Sequence, residues 1–386
     1  MFVFLGGVLP QNSIPVSRNV IVDRIRGISI LLVLTLHFQT AYSLTEGFFA
    51  DFIPKWILEP LAGNGSYGVT MFFVVSGYLI TLRTLRRYRI LADINFREFY
   101  TFRIARIIPC VVLMVFVYFV FHQMNLPYFV SNAVSPSWPI ILGSIFTFTH
   151  NVLVEKYGYF NYCLNVLWSL SIEEVFYFAF PIVCVTLKST RQVLLLATIV
   201  IGYGPLFRFQ HRYDGTDVYG LYAYSSCFDA IAIGCCAAIL KHKLIVPTWS
   251  NRLVLPLGLA LAAMILRFHY WYDLTIGFSA IALCTGLILF FMRAERKDAG
   301  ARKSILLQPI GKLSYEIYLF HIIILALLRG KLTETELGYY GKPLLFFCFL
   351  AGSFLISYLI SRFYSEPLNV GLRRFLISKS KTELAG

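Results

Sequence analysis

Two neighbouring glutamates, Glu173 and Glu174, interrupt an apolar stretch, LWSLSIEEVFYFAFP, at positions 167–181. A charged side chain at the bilayer centre costs roughly 2.5–3.5 kcal/mol even on insertion scales, so we expect these carboxylates to be paired, protonated or in a water-filled cavity. On a helix the two side chains point about 100° apart, and only Glu173 forms a polar stripe with Ser169 and Tyr177. We therefore expect Glu173 to line a functional site, and Glu174 to lie at a helix-packing or interfacial position.

Another candidate for chemistry is His37, eleven residues after Arg26 in DRIRGISILLVLTLHF. Eleven helical steps are about three turns, so both side chains share one face, roughly 16 Å apart. Because imidazole titrates near neutral pH, His37 is a candidate general base. The structural alternative is a histidine that only hydrogen-bonds a neighbouring helix. Asp229, in YSSCFDAIAIG, is a third acid within an apolar run.

Arginines cluster around one end of the predicted third span. Arg103 and Arg106 stand at i and i+3 in FYTFRIARIIP, close to Arg83, Arg86, Arg87, Arg89 and Arg97. The guanidinium fork suits phosphate binding, although such a cluster can also serve only to orient the protein in the membrane. Ser76 precedes Gly77 in MFFVVSGYLIT without a GxSxG elbow, which favours close helix packing over serine-hydrolase chemistry.

Composition indicates which elements position these residues. Of the 386 residues, 58% are hydrophobic and only 14% are charged, against about 25% in soluble domains. The apolar runs reach the ~20 residues that a membrane-spanning helix needs. The sequence therefore predicts an all-α polytopic membrane protein of about ten transmembrane helices, near 27–43, 67–82, 104–121, 166–187, 192–207, 219–240, 253–270, 274–292, 313–330 and 343–361.

The formal charge of +14 is carried largely by short loops between these runs. That pattern predicts membrane orientation rather than nucleic-acid binding. The positive-inside rule favours both termini in the cytoplasm of a cell-membrane protein, with 138–150 as a re-entrant or interfacial segment. We expect a cytoplasmic N-terminal tail at 1–26, a transmembrane domain at 27–363 and a cytoplasmic C-terminal tail at 364–386. The eight cysteines form no CxxC pair, and no metal is expected.

Several stretches together resemble the membrane acyltransferase-3 family of O-acyltransferases. They are DRIRGISILLVLTLH, GVTMFFVVSGYLIT, FYTFRIARIIP, LWSLSIEEVFYFAFP, FDAIAIG and IGKLSYEIYLFH, and they occur in the family's order. The resemblance implies Arg26 and His37 as a first-span pair, Arg103 and Arg106 as a basic pair, and Trp168 with Glu173 as a further element. Some members carry an extra SGNH-type domain, which we do not expect this chain to encode.

The resemblance implies transfer of an acetyl or other short acyl group from cytoplasmic acyl-CoA to a hydroxyl of a sugar, glycan or lipid-linked acceptor. We expect His37, Glu173 and Arg26 to be catalytic, and Arg103 and Arg106 to bind the CoA phosphates. Residues expected to bind substrate or support the site are Trp168, Ser169, Tyr177, Ser76 and Asp229.

The alternative is a proton-coupled secondary transporter, because buried His, Glu and Asp also form proton relays. Against it, no pair of Gly/Pro-broken spans occurs in matching halves. The expected partners are acyl-CoA, the acceptor and the lipid bilayer, without nucleic acid. The acceptor's identity, the acyl length and the oligomeric state stay open.

Overall fold

The computed structural model describes residues 19–88, 90–130, 135–211, 217–268, 275–292 and 307–383. Within these ranges the chain is helical and contains no strand, which confirms the predicted all-α class. Seven of these helical stretches are long and apolar enough to cross a membrane, so the protein is a multi-pass membrane protein. They are Gly65–Tyr88, Phe96–Gln123, Leu164–Leu187, Thr190–His211, Gly220–Lys243, Trp249–Arg267 and Gly341–Leu376.

The described ranges contain seventeen α-helices, numbered in chain order. They are α1 (Val20–Tyr42), α2 (Phe48–Phe52), α3 (Lys55–Gly63), α4 (Gly65–Tyr88), α5 (Phe96–Gln123), α6 (Trp138–Phe146), α7 (His150–Tyr157), α8 (Trp168–Leu187), α9 (Thr190–His211), α10 (Asp217–Tyr222), α11 (Tyr224–Lys243), α12 (Val254–Arg267), α13 (Ile276–Phe291), α14 (Leu307–Lys312), α15 (Ser314–Arg329), α16 (Gly341–Ile360) and α17 (Glu366–Glu383). Short 3₁₀ turns occupy Leu91–Asp93, Leu164–Leu167, Thr248–Leu253 and Glu334–Glu336.

A helix coincides with each of the ten predicted spans, namely α1, α4, α5, α8, α9, α11, α12, α13, α15 and α16. Two of them, α1 and α15, are not among the seven stretches that qualify by length and apolarity, and α13 is a shorter apolar helix. The number of membrane crossings therefore stays a prediction.

The segment at 138–150 cannot cross as a single helix. Its α6 has nine residues, and at ~1.5 Å per residue it is about 14 Å long, against ~30 Å of hydrocarbon. Pro139 stands in its first turn, and α6 ends before Phe148, whose positive φ of 58° interrupts the helix before α7 begins.

Helices α4 and α11 cross at close range. A Cβ on Gly77 would overlap the carbonyl oxygen of Ile231, and a Cβ on Gly234 would overlap that of Val74. Glycines at such crossings let two backbones approach closely, as predicted for Gly77. The neighbouring Ser76 faces a cavity instead.

Helix α1 is fixed between α14 and α4. It begins after Asn19, whose side-chain oxygen accepts a hydrogen bond from the Ile21 N–H at 2.9 Å. A Cβ on Gly311 of α14 would overlap the Asp23 carbonyl oxygen, and a Cβ on Gly68 of α4 would overlap that of Ser29. These two contacts fix the rotation of α1 and hence the direction of Arg26.

The predicted cytoplasmic tail at 364–386 is helical through most of its length. Helix α16 passes through a π-helical turn, Ser361–Ser365, directly into α17, which packs against α5. The Tyr364 hydroxyl donates to the Pro109 carbonyl of α5 at 3.1 Å, and Ser365 Oγ donates to the buried Glu316 Oε1 at 2.8 Å. The α17 helix is therefore part of the packed structure beside α5.

Candidate active site

A cavity of about 110 Å³ lies between α1, α4, α5, α8 and α15. Its apolar wall includes Phe72, Leu79 and Leu319. Its polar and charged lining consists of Arg26, Ser76, Arg83, Arg103, Arg106, Ser169, Glu173, Tyr177, Ser314, Tyr315 and Tyr318. The structure thus brings together predicted site residues from four separate stretches of sequence.

Glu173 is the acceptor of a small hydroxyl network in this cavity. Ser76 Oγ donates to Glu173 Oε2 at 2.9 Å, and the Tyr177 hydroxyl donates to the same oxygen at 2.9 Å. The Ser76 and Tyr177 hydroxyls also contact each other. Two O–H donors on one carboxylate oxygen hold the side chain in a single orientation inside the cavity.

Arg103 connects this network to the cationic lining. Its guanidinium lies 3.8 Å from the centre of the Tyr177 ring, a cation–π contact of ~0.5–2 kcal/mol depending on desolvation. Arg106 and Arg103 lie close enough to Arg83 to act on it electrostatically. None of these three forms an ion pair with a carboxylate in the described ranges. The cavity lining therefore carries four arginines against one carboxylate, Glu173, and has an excess of positive charge.

The neighbouring Glu174 points elsewhere. It does not line the cavity, it is 8% exposed, and its Oε1 has no hydrogen-bond partner in the described part of the chain. Ser171, one turn before it, is also turned away from the cavity, because its Oγ accepts from the His150 N–H at 3.2 Å and donates to the Leu167 carbonyl at 3.3 Å. The helical turn thus separates the two glutamates as the sequence predicts.

His37 lies next to the cavity rather than in its lining. Its ring packs on His321 of α15 with centroids 5.1 Å apart, and the His321 ring lies 6.0 Å from Tyr318, which does line the cavity. His321 is fully buried; its Nδ1 donates to the Ile317 carbonyl at 3.0 Å, and its Nε2 has no partner among the described residues. A path of three rings therefore leads from the cavity to His37.

The residues of α15 are the functional candidates that sequence reasoning missed. The Tyr318 hydroxyl donates to the Val166 carbonyl at 3.0 Å and shares a hydrogen bond of 2.7 Å with Ser169 Oγ. In IGKLSYEIYLFH, the residues Ser314, Tyr318 and His321 recur at steps of four and three, which places them on one helix face. That polar stripe in an apolar helix is the signal that could have identified them.

Trp168 and Asp229 line a second, much smaller cavity. Asp229 Oδ2 forms an ion pair of 2.7 Å with Arg208 Nη2, and the Arg208 Nη1 donates to Asp229 Oδ1 at 3.2 Å. Both side chains are almost fully buried. Trp168 packs edge-on against Tyr222 at 4.5 Å. Here the Asp229 charge is neutralised within the protein, and the structure does not bring these two residues into the main cavity.

Metal-ligand types do not gather in the described part of the chain. No three His, Cys, Asp or Glu side chains come together there as a metal site. The eight cysteines are free thiols, most of them buried in the helix bundle.

The family model described as "Acyltransferase domain", of the acyltransferase-3 type, matches residues 19–362. The chain belongs to the membrane acyltransferase-3 family. The match covers the five helices that form the cavity, so these helices are part of an acyltransferase domain. Family membership favours the predicted acyl transfer over the transporter alternative.

Curated proteins that are similar to this chain are named O-acetyltransferases. The chain is 27% identical over 372 residues to the peptidoglycan O-acetyltransferase OatA of Listeria monocytogenes, covering 90% of this chain and 55% of that protein. It is 24% identical over 348 residues to the O-acetyltransferase OatA of Staphylococcus aureus, covering 83% of this chain and 56% of that protein. The chain thus spans a little over half the length of the curated relatives it matches. No solved structure matches it.

Proposed function

We propose that the protein moves an acetyl or other short acyl group from cytoplasmic acyl-CoA to a hydroxyl of a cell-wall polymer or related glycan. The observation that supports this most is the cavity itself. It joins Arg83, Arg103 and Arg106, which form no ion pair in the described ranges, to a carboxylate network. A tyrosine and a histidine then lead from the cavity to His37. The proposal places the protein in the cell membrane with the arginine cluster facing the cytoplasm.

The donor side of the proposal rests on charge. Arg83, Arg103 and Arg106 have no ion-pair partner in the described ranges, and like charges held close together repel unless an anion joins them. Guanidinium groups bind phosphate oxygens bidentately, and CoA carries a diphosphate. We therefore assign the diphosphate of acyl-CoA to Arg103 and Arg106.

The chemical step is assigned to His37. The imidazole takes the proton of the acceptor hydroxyl as its oxygen attacks the thioester carbon, and the C–O bond forms. The C–S bond then breaks, and CoA leaves as a thiolate that takes the proton back from His37. Because His37 lies beyond Tyr318 and His321, the thioester has to pass the Tyr318 end of the cavity and reach His37. The acceptor hydroxyl then approaches His37 from the other side.

We assign to Glu173 the role of positioning Tyr177 and Arg103. Its oxygen holds the Tyr177 hydroxyl, and the Tyr177 ring carries the Arg103 guanidinium. Neutralising the carboxylate loosens Tyr177 and, through it, the phosphate-binding arginine. Glu173 therefore acts on the donor side of the cavity, while His37 acts on the transferred group.

The acceptor class is taken from the relatives. One of them is named a peptidoglycan O-acetyltransferase. For the present chain we propose the same chemistry, a glycan hydroxyl outside the membrane, without specifying the sugar.

The proposal is tested with purified protein in lipid nanodiscs and radiolabelled acetyl-CoA. We expect saturable CoA binding, and release of free CoA thiol that depends on an added cell-wall glycan and is lost in His37→Ala. Absence of CoA binding by the folded protein would overturn the donor assignment. Thiol release that is independent of His37 would overturn the assigned chemical step.

A further inference from the structure

Helix α17 places a fourth arginine beside the donor cluster. The Arg373 guanidinium lies 4.9 Å from the centre of the Phe102 ring, one residue before Arg103. Arg87 lies against the same ring at 5.2 Å, but its charge is neutralised by an ion pair with Glu98. We call this group, Phe102 with Arg87 and Arg373, the rim clamp.

Arg373 lies beside other positive charges. In the described ranges its Nε is buried without a hydrogen-bond partner, and it forms no ion pair with a carboxylate. The charges that act on it are those of Arg103 and Arg106, which are both positive. A guanidinium held this close to two others, partly out of water, is expected to have an anionic ligand.

The rim clamp is distinct from the cavity cluster although it is adjacent to it. Arg373 does not line the cavity. Its platform, Phe102, directly precedes Arg103 on α5, and successive residues of a helix point about 100° apart. Arg373 therefore adds a second cationic subsite beside the first, and two neighbouring subsites fit a ligand with two separate phosphate groups.

We propose that Arg373 binds the 3′-phosphate on the ribose of the acyl-CoA donor, while Arg103 and Arg106 hold its diphosphate. This inference rests on the proposed donor. The nucleotide end of CoA carries a diphosphate on one side of a ribose and a monophosphate on the other, so it presents two anions to the two subsites. An anionic lipid headgroup offers the same phosphate chemistry at a membrane surface, and the test below separates the two sources.

The test compares CoA with 3′-dephospho-CoA in lipid-free detergent, by calorimetry on wild type and Arg373→Gln. A charged hydrogen bond to phosphate corresponds to roughly ten- to a hundredfold in affinity. We expect wild type to bind CoA more tightly than dephospho-CoA by about that factor. Arg373→Gln is expected to bind CoA only as tightly as dephospho-CoA, and to bind dephospho-CoA as wild type does.

Arg374→Gln is the matched control, because its side chain is exposed and is the next residue on the same helix. It is expected to keep the wild-type preference for CoA. Thermal unfolding in the same detergent reports whether each variant is folded, and Arg373→Lys provides a second variant that is expected to keep part of the preference.

Several results would overturn the inference. One is a wild type that binds CoA and dephospho-CoA equally, and another is an Arg373→Gln variant that still prefers CoA. An equal loss of both ligands in Arg373→Gln would assign Arg373 to the diphosphate or to folding. Phosphatidylglycerol is titrated against the same two proteins in detergent. An Arg373→Gln variant that keeps the preference for CoA but binds phosphatidylglycerol less tightly than wild type would assign Arg373 to a lipid headgroup. Failure of wild type to bind either nucleotide would overturn the donor assignment, and this inference with it.

Discussion

His37 of α1 and His321 of α15 pack ring against ring, with centroids 5.1 Å apart and planes tilted by 48°. The Nδ1–H of His321 donates a hydrogen bond to the Ile317 carbonyl. In the neutral ring the other nitrogen, Nε2, is therefore a hydrogen-bond acceptor. That nitrogen has no partner among the described residues. His321 can therefore accept a hydrogen bond from His37 while His37 carries the proton of the acceptor hydroxyl.

His37→Ala should abolish transfer while leaving a folded, inserted protein. General-base catalysis contributes typically 10²–10⁴-fold to the rate, and we expect a loss within that range. The measurement is turnover per folded molecule with saturating acyl-CoA, with CoA affinity determined in parallel. Unchanged CoA affinity together with lost turnover is the expected pair of results; wild-type turnover would show that His37 is structural.

His321→Asn separates a positioning role from a structural one. Asparagine can still donate to the Ile317 carbonyl but lacks the Nε2 acceptor, so we expect a fall in kcat of roughly ten- to a hundredfold with little change in KM for acyl-CoA. The matched variant His321→Ala loses the internal hydrogen bond as well and should also unfold at lower temperature. If His321→Asn keeps wild-type kcat, the pairing with His37 has no part in the reaction.

Sequence patterns predict much of this fold because the membrane makes polar residues costly. Each of the ten apolar runs coincides with a helix, and Glu173 and Ser76 stood out as polar residues within such runs. The stripe of Ser169, Glu173 and Tyr177 follows from helix periodicity alone, and the structure places all three in the cavity. Local spacing is sufficient here because one helix carries the whole stripe.

Contacts between distant segments could not be predicted in this way. Arg208 follows the last residue of the predicted fifth span, which suggests a solvated loop cation, yet it is buried against Asp229. Arg373 lies in a segment predicted as a tail, and nothing local indicates that it packs on Phe102. In both cases the way the helices pack determines which side chain the arginine contacts, and spacing along the chain does not.

Arg103→Ala and Arg106→Ala should weaken acyl-CoA binding far more than acceptor binding. Lysine at either position should restore only part of the affinity, because an ammonium lacks the bidentate fork. For Arg103 the lysine variant also weakens the contact with the Tyr177 ring. The test is titration of CoA against each folded variant, with Arg97→Ala as a control from the same helix. Wild-type CoA affinity in both alanine variants would show that Arg103 and Arg106 serve only to orient the protein in the membrane.

Glu155 of α7 lies outside the seven candidate spans, and its carboxyl should make the stability of the folded protein depend on pH. Burial raises the pKa of its carboxyl from 4.5 to about 7, although a hydrogen bond from Asn151 lowers it. The folded state thus favours the protonated form of Glu155. The resulting contribution to the free energy of unfolding is fully present below about pH 4.5 and is lost as the pH rises through about 7. Glu155→Gln should match wild type at low pH and unfold at a higher temperature than wild type at pH 8.

The control for Glu155 is Glu46→Gln, which removes a charge from an exposed loop position. Its unfolding temperature should follow the wild-type pH dependence throughout. A Glu155→Gln variant that shows the same pH dependence as wild type would contradict the predicted shift.

Glu173 and Glu174 should respond differently to the same substitution although they are adjacent. Glu173→Gln keeps the size of the side chain but replaces a carboxylate that accepts two O–H donors, so the Ser76 and Tyr177 contacts are weakened. We expect it to lose most activity, with reduced CoA affinity because Arg103 rests on Tyr177, and with little loss of folded protein.

Glu174→Gln is the matched control, because the Glu174 carboxylate lies outside the cavity and one of its oxygens has no partner in the described part of the chain. Replacing a buried carboxylate by a neutral amide reduces the cost of burying charge, so we expect near-wild-type activity and unchanged or higher thermal stability. Turnover per folded molecule and unfolding temperature are measured in the same detergent. A well-folded but inactive Glu174→Gln beside an active Glu173→Gln would mean that the reacting groups lie on the Glu174 face, around Ser171.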